Sequence, residues 1–249
     1  MKRFLSLLLV CVMLVSLLSA CADGGAQSTE ETIDFTDSLG RTVKLPKDLT
    51  RIAPSGAVAT MILATIAPEY MVSVNATPSS AQYQYLPENL LKLPTTGQMY
   101  GAKSTLNLET LLSCGAQVVI DLGDRKENMA ADLDALQKQI GIPVIFLEAD
   151  VAHMEQMYRT LGSILSGKEQ RGNELADFAA ETVAMAAENS AKVTDAERVR
   201  VMYTSGVSGL DTNSEGSTQA QVLSLVGADN AIYVPEVSNR GGGNTINLE

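Results

Sequence analysis

His153 is the one imidazole in a chain of 249 residues, and Cys11, Cys21 and Cys114 are its three thiols. A metal site built on several imidazoles is therefore excluded, and so is a hydrolase triad, which sets a histidine beside its nucleophile. The SGVSG stretch around Ser208 lacks the G-x-S-x-G spacing of a nucleophile elbow. GQMYGAKS, residues 97–104, superficially resembles a phosphate-binding loop, but Ala102 separates Gly101 from Lys103 and no strand leads directly in. Cys114 ends an apolar helix, LETLLSCG, with no second cysteine or histidine nearby, so it reads as a buried, inert thiol. His153, at the start of an amphipathic helix, reads as a surface residue. The residues that usually carry catalysis are absent as constellations, and the chain reads as a binding protein rather than an enzyme.

The residues suited to binding sit in loops. Tyr83, Tyr85 and Tyr100 lie in a loop-rich stretch, where exposed phenol rings either pack loops or stack on a planar ligand. SNRGGGNT, residues 238–245, is either a flexible turn or a cradle of backbone amides for an anion, and the adjacent Arg240 supports the cradle.

These loops hang on a βα rhythm. TIDFTDSLGRTVKLP alternates apolar and polar residues about Ser38-Leu39-Gly40, which predicts a hairpin. RIAPSGAVATMILATIAP predicts a short strand, a turn and a helix from about Ala57 to Ile66, and MVSVNA predicts a further strand. Asn107 suits the N-cap of a helix closed by Gly115, and the apolar run QVVIDL follows. A second helix, with Met129, Leu133, Leu136 and Ile140 on one face, leads through Gly141 to IPVIFL. Strands alternating with helices in this way imply a parallel sheet covered on both faces.

From His153 to about Lys192 the pattern is helical, broken near Ser166-Gly167. Its second half places Leu175, Phe178, Ala179, Val183 and Ala186 on one stripe. The βα rhythm then restarts with RVRVMYTS, the loop GVSGLDTNSEG, a helix STQAQVLSLVG and the glycine-rich loop. The phrase STLNLE (residues 104–109) returns as NTINLE (residues 244–249), each copy positioned to begin a helix.

The expected fold is α/β, with two lobes of mostly parallel sheet joined by one long helix. Residues 33–152 form the first lobe, 153–192 the helical segment and 193–249 part of the second. Because open α/β sheets bind ligands beyond the carboxyl ends of their strands, the candidate binding residues are Ser55, Tyr83, Tyr100, Asp124, Arg125, Ser205, Ser208, Asn239 and Arg240.

The N-terminus is organised differently. Lys2 and Arg3 precede an apolar run from Phe4 to Ala20 that ends in small residues, the pattern of a signal peptide spanning residues 1–20. LSAC, residues 18–21, resembles the bacterial lipobox, which implies that Cys21 is acylated; the polar stretch that follows, to residue 32, reads as a tether. With Cys11 discarded and Cys21 lipidated, Cys114 has no disulfide partner. The formal charge of −11 argues against nucleic acid, whose phosphates demand a basic surface.

Lipobox, DSLGRTVKLP hairpin, RIAPS, the repeated NLE and a long central helix, in this order, resemble the helical-backbone solute-binding lipoproteins of ABC importers, receptors for ferric siderophores, haem and vitamin B12. The resemblance implies an extracytoplasmic, membrane-anchored receptor with its ligand between two lobes, no cofactor of its own, and an iron chelate as cargo. Arg125 and Arg240 would suit an anionic siderophore or haem propionates. It further implies that Glu109 and Glu249, one per lobe, engage arginines of the permease, although each also suits the first turn of a helix. The family continues past this phrase with a helix, a strand and further βα units, so the second lobe is expected to be cut short. A bare metal-ion receptor or a ligand-sensing lipoprotein that partners a signalling receptor is the alternative on the same fold.

Overall fold

The computed structural model describes residues 31–99, 104–213, 217–232, 234 and 244–247. The chain divides into Met1–Glu31 and Thr32–Glu249, and the second unit carries the fold. Strands β1 (Thr32–Thr36) and β2 (Thr42–Pro46) form the expected antiparallel hairpin. Its turn is fixed by Asp37, which is buried and accepts hydrogen bonds from the backbone N–H groups of Leu39 and Arg41, both at 3.0 Å. Arg41 Nη2 lies 2.7 Å from Asp37 Oδ2 and donates to the Val144 carbonyl at 2.6 Å, while Phe146 N donates back to Asp37 at 3.3 Å. The buried ion pair is thus met on all sides, the condition under which such a pair is tolerable, and it locks the hairpin to the sheet.

That sheet is parallel, in the order β3 (Ile52–Pro54), β4 (Val118–Gly123), β5 (Val144–Glu148). Its strands are apolar almost throughout because both faces are covered. On one face Ile52, Val118, Ile120, Leu122, Ile145 and Leu147 pack with helices α1 (Ala57–Ile66) and α4 (Met154–Ile164). On the other, Ala53, Val119 and Phe146 pack with α2 (Leu108–Ser113) and α3 (Met129–Ile140). Asn107 caps α2 as expected, its Oδ1 accepting from Thr110 N at 3.0 Å, and Gly115 follows with φ +71°. The strand expected at MVSVNA does not form: only the isolated parallel bridges Ile52↔Met71 and Val74↔Thr95 are made. Pro94, beside the second bridge, has no N–H to extend a ladder. Cys114 is half-buried rather than fully buried, and its thiol donates to the Leu111 carbonyl.

Helix α5 (Glu169–Ser190) has 22 residues, about 33 Å at 1.5 Å per residue. It packs on α4 through two glycines, and a Cβ placed on Gly172 would lie 2.6 Å from the Gly162 Cα. The expected stripe holds except at one position: α5 buries Gly172 and Ala176, Leu175, Ala179, Val183 and Ala186 are half-buried, and Phe178 stays 69% exposed. Close approach of two backbones needs small residues at the crossing, and the larger side chains are left to line the flanks.

Beyond α5 the strands are two residues long. β6 (Arg200–Val201), all that forms of the expected strand RVRVMYTS, pairs in parallel with β8 (Asp229–Asn230). β7 (Asp211–Thr212) pairs antiparallel with β9 (Asn244–Thr245). Between them lies α6 (Thr218–Leu225), capped by Ser217 Oγ, which accepts from Ala220 N at 3.2 Å. The opening of the second NLE phrase is therefore extended chain, and Leu248 and Glu249 lie outside the described residues. Among the described residues no helix is long and apolar enough to cross a membrane.

Candidate functional site

The carboxyl ends of β3, β4 and β5 open into loops that hold several of the candidate residues. Ser55, directly after β3, is buried: its N–H donates to the Ile120 carbonyl at 3.1 Å and its own carbonyl accepts from Met99 N at 2.9 Å. Its hydroxyl is turned inward and donates to Asp121 Oδ1. Asp121 was not singled out from the sequence, although an acid inside the apolar run QVVIDL was a visible signal. It is 3% exposed, and its Oδ2 meets no hydrogen-bond partner among the described residues. Burial pushes its carboxyl above the usual aspartate range, against the opposing effect of the Ser55 hydroxyl.

Asp124 and Arg125 follow β4. Asp124 Oδ1 accepts the hydroxyl of Thr218, the first residue of α6. Arg125 is exposed; its Nη2 donates to the Ser38 carbonyl at 2.5 Å and stands 3.7 Å from Glu148 Oε2. After β5, Asp150 Oδ1 accepts His153 N at 2.9 Å and lies 2.6 Å from His153 Nδ1. Asp150 Oδ2 accepts Gln221 Nε2 at 3.3 Å, and Gln221 Oε1 accepts Val151 N at 3.2 Å. Burial works to raise the Asp150 carboxyl, but hydrogen bonds from His153 and Gln221 outweigh it and hold the group below its ordinary value. Helix α6 is thus moored to the carboxyl edge of the sheet at two loops, through Thr218 and Gln221.

The other candidates are dispersed. Tyr83 and Tyr85 are 50% and 80% exposed, so their rings are open to solvent. Ser205 N donates to the Asp211 carbonyl at 2.6 Å, and exposed Ser208 accepts from Leu210 N at 3.4 Å; both sets of bonds stay within residues 205–211. Glu109 is exposed in the first turn of α2. Tyr100, Asn239, Arg240, Glu249 and Cys21 lie outside the described residues. The carboxylates of Glu148 and Asp150 and the ring of His153, which sequence reasoning did not join, each offer a donor atom within 4.8 Å of the others.

No family model matches the chain, and no curated protein matches it by sequence. Solved structures do. An ABC transporter solute-binding protein from Sulfurospirillum deleyianum superimposes with a TM-score of 0.73 at 24% identity, covering 86% of this chain and 67% of that one. A molybdate periplasmic binding protein from Haemophilus influenzae gives 0.64 at 20% identity, with 80% and 65% covered. A haem-binding protein, HmuT, gives 0.53 at 17% identity, with 80% and 62% covered. The chain therefore shares the fold of these solute-binding proteins and spans about two thirds of their length.

Proposed function

We propose that this chain is an extracytoplasmic solute-binding receptor of an ABC importer, that its cargo is an iron chelate, and that it performs no covalent chemistry on it. The observation that carries the reading is the mooring of α6: Thr218 and Gln221, from the region after the long helix, meet Asp124 and Asp150 at the carboxyl edge of a parallel sheet. Ligands of open α/β folds bind at that edge, and the likeness to solute-binding proteins supports it. Arg125 stands beside the junction, where its guanidinium suits an anionic group such as a siderophore or haem carries. A lipid on Cys21 would hold the receptor at the membrane by partitioning of its acyl chains. Exposed Glu109 would meet a permease arginine, a rim contact that orients docking more than it adds affinity.

Native mass spectrometry of the chain with ferric siderophores, haem, cobalamin and molybdate tests the reading. Retention of a ferric chelate at one equivalent is expected; retention of none of the four rejects the function. Glu109→Ala keeps that retention and lowers import in cells, whereas unchanged import removes the docking role.

A further inference from the structure

The junction also holds a donor set that the capture of a chelate does not need. Glu148 ends β5, Asp150 lies two residues on, and His153 caps the start of α4, so a single tight turn delivers two carboxylates and an imidazole to one place. Their exposures are graded: the Asp150 side chain is 13% exposed, Glu148 22% and the His153 ring 50%. A small ion can therefore enter past the ring and be held by the deeper acids. Arg125 forms an ion pair with Glu148 at 3.7 Å, outside hydrogen-bond distance, while its Nη2 donates to the Ser38 carbonyl. Glu148 is thus left with spare lone pairs facing the other two donors.

The bond between His153 Nδ1 and Asp150 fixes the ring. The contact carries a proton when no ion is held; an ion held by both groups displaces that proton, and His153 Nδ1 and an Asp150 oxygen then become ligands of the same ion. Ligand atoms about a tetrahedral ion with bonds near 2.1 Å stand about 3.4 Å apart, and these donor atoms, all within 4.8 Å of one another, lie at separations on that scale. One nitrogen and two carboxylates suit a borderline transition ion. A Ca²⁺ site would ask for about six to eight oxygens.

We propose that Glu148, Asp150 and His153 bind a free divalent transition-metal ion, distinct from the chelated cargo, at the junction where α6 meets the sheet. Since Gln221 bonds the same Asp150 carboxylate, the ion and the docking of α6 are linked through one group. The inference stands apart from the nature of the cargo, because it concerns an uncomplexed ion and residues of this chain only.

Calorimetric titration of the full chain, its thiols alkylated to silence Cys114, uses Zn²⁺ as the probe and Ca²⁺ as the competitor. One Zn²⁺ per chain is expected, weakened at least tenfold in His153→Gln and in Glu148→Gln and undisturbed by equimolar Ca²⁺. Asp150 also accepts the backbone N–H at the start of α4, so Asp150→Asn is read only alongside circular dichroism, and the other two variants carry the test. Absence of Zn²⁺ uptake, uptake that His153→Gln leaves within twofold, or displacement by Ca²⁺ overturns the proposal. Ferric-chelate retention in the same variants separates the two readings: retention without Zn²⁺ supports a distinct ion site, and joint loss overturns its separateness.

Discussion

The βα pattern is written twice in this chain, before α5 and after it, yet the two regions are built differently. Before α5, three strands are buried on both faces and large side chains such as Phe146, Ile120 and Leu133 are fully enclosed. Past residue 193 the buried residues, among those described, are Thr212, Ala220 and Gly227, while Val199, Met202, Val222 and Val226 are each 47–66% exposed. The same alternation of elements therefore does not guarantee a core. A strand contributes to stability only when helices cover it, and a two-residue pair removes little apolar area from water. The first region carries the stability, and the second is held to it through α5 and the polar mooring of α6.

The contrast breaks if the two regions respond alike to loss of an aromatic ring. Phe146→Ala, in the fully enclosed region, should cost about 3–5 kcal/mol, the range for an emptied aromatic core site, read from the urea midpoint. A cost below about 1 kcal/mol would mean that the first region is no more tightly packed than the second.

A smaller effect sharpens the picture of the sheet's carboxyl edge. The Asp121 carboxyl is raised by burial in the folded state. Its contribution to stability is therefore fully present below the ordinary aspartate value near 3.9, and it is lost as pH rises through the folded value. Asp121→Asn, which cannot ionise, should remove that loss, so that its stability falls less than the parent's as pH rises. Denaturation midpoints between pH 4 and pH 8 decide it, and a slope identical to that of the parent would show that Oδ2 is solvated. The smallest effect is expected on α5, where Phe178→Ala should change stability by no more than about 0.5 kcal/mol, as for surface positions. A larger loss would mean that this ring is covered in the native protein.

Most of the first region was legible in the sequence. Period and punctuation located α1, α3 and β5 closely, because Gly141 and the apolar run VIFL are local signals that burial reinforces. The Asn107 cap was readable for the same reason, since its bond to Thr110 N spans three residues. The strand at MVSVNA and the place of Phe178 on the α5 stripe were misread because their outcomes depend on partners distant in the chain: the segment around Pro94 for one, and Gly162 across the helix crossing for the other.

Before α5 the sequence by itself determined most of the helices and strands, that the sheet is parallel, and which loops lie at its carboxyl edge, since all three follow from local pattern. Only the tertiary structure decided which side chains meet there. Ser55 was turned inward onto Asp121, Asp124 was taken by Thr218 some ninety residues away, and Glu148, Asp150 and His153 were drawn into one cluster. Periodicity assigns a residue to a face, but a hydrogen bond between distant segments is fixed by how the elements pack.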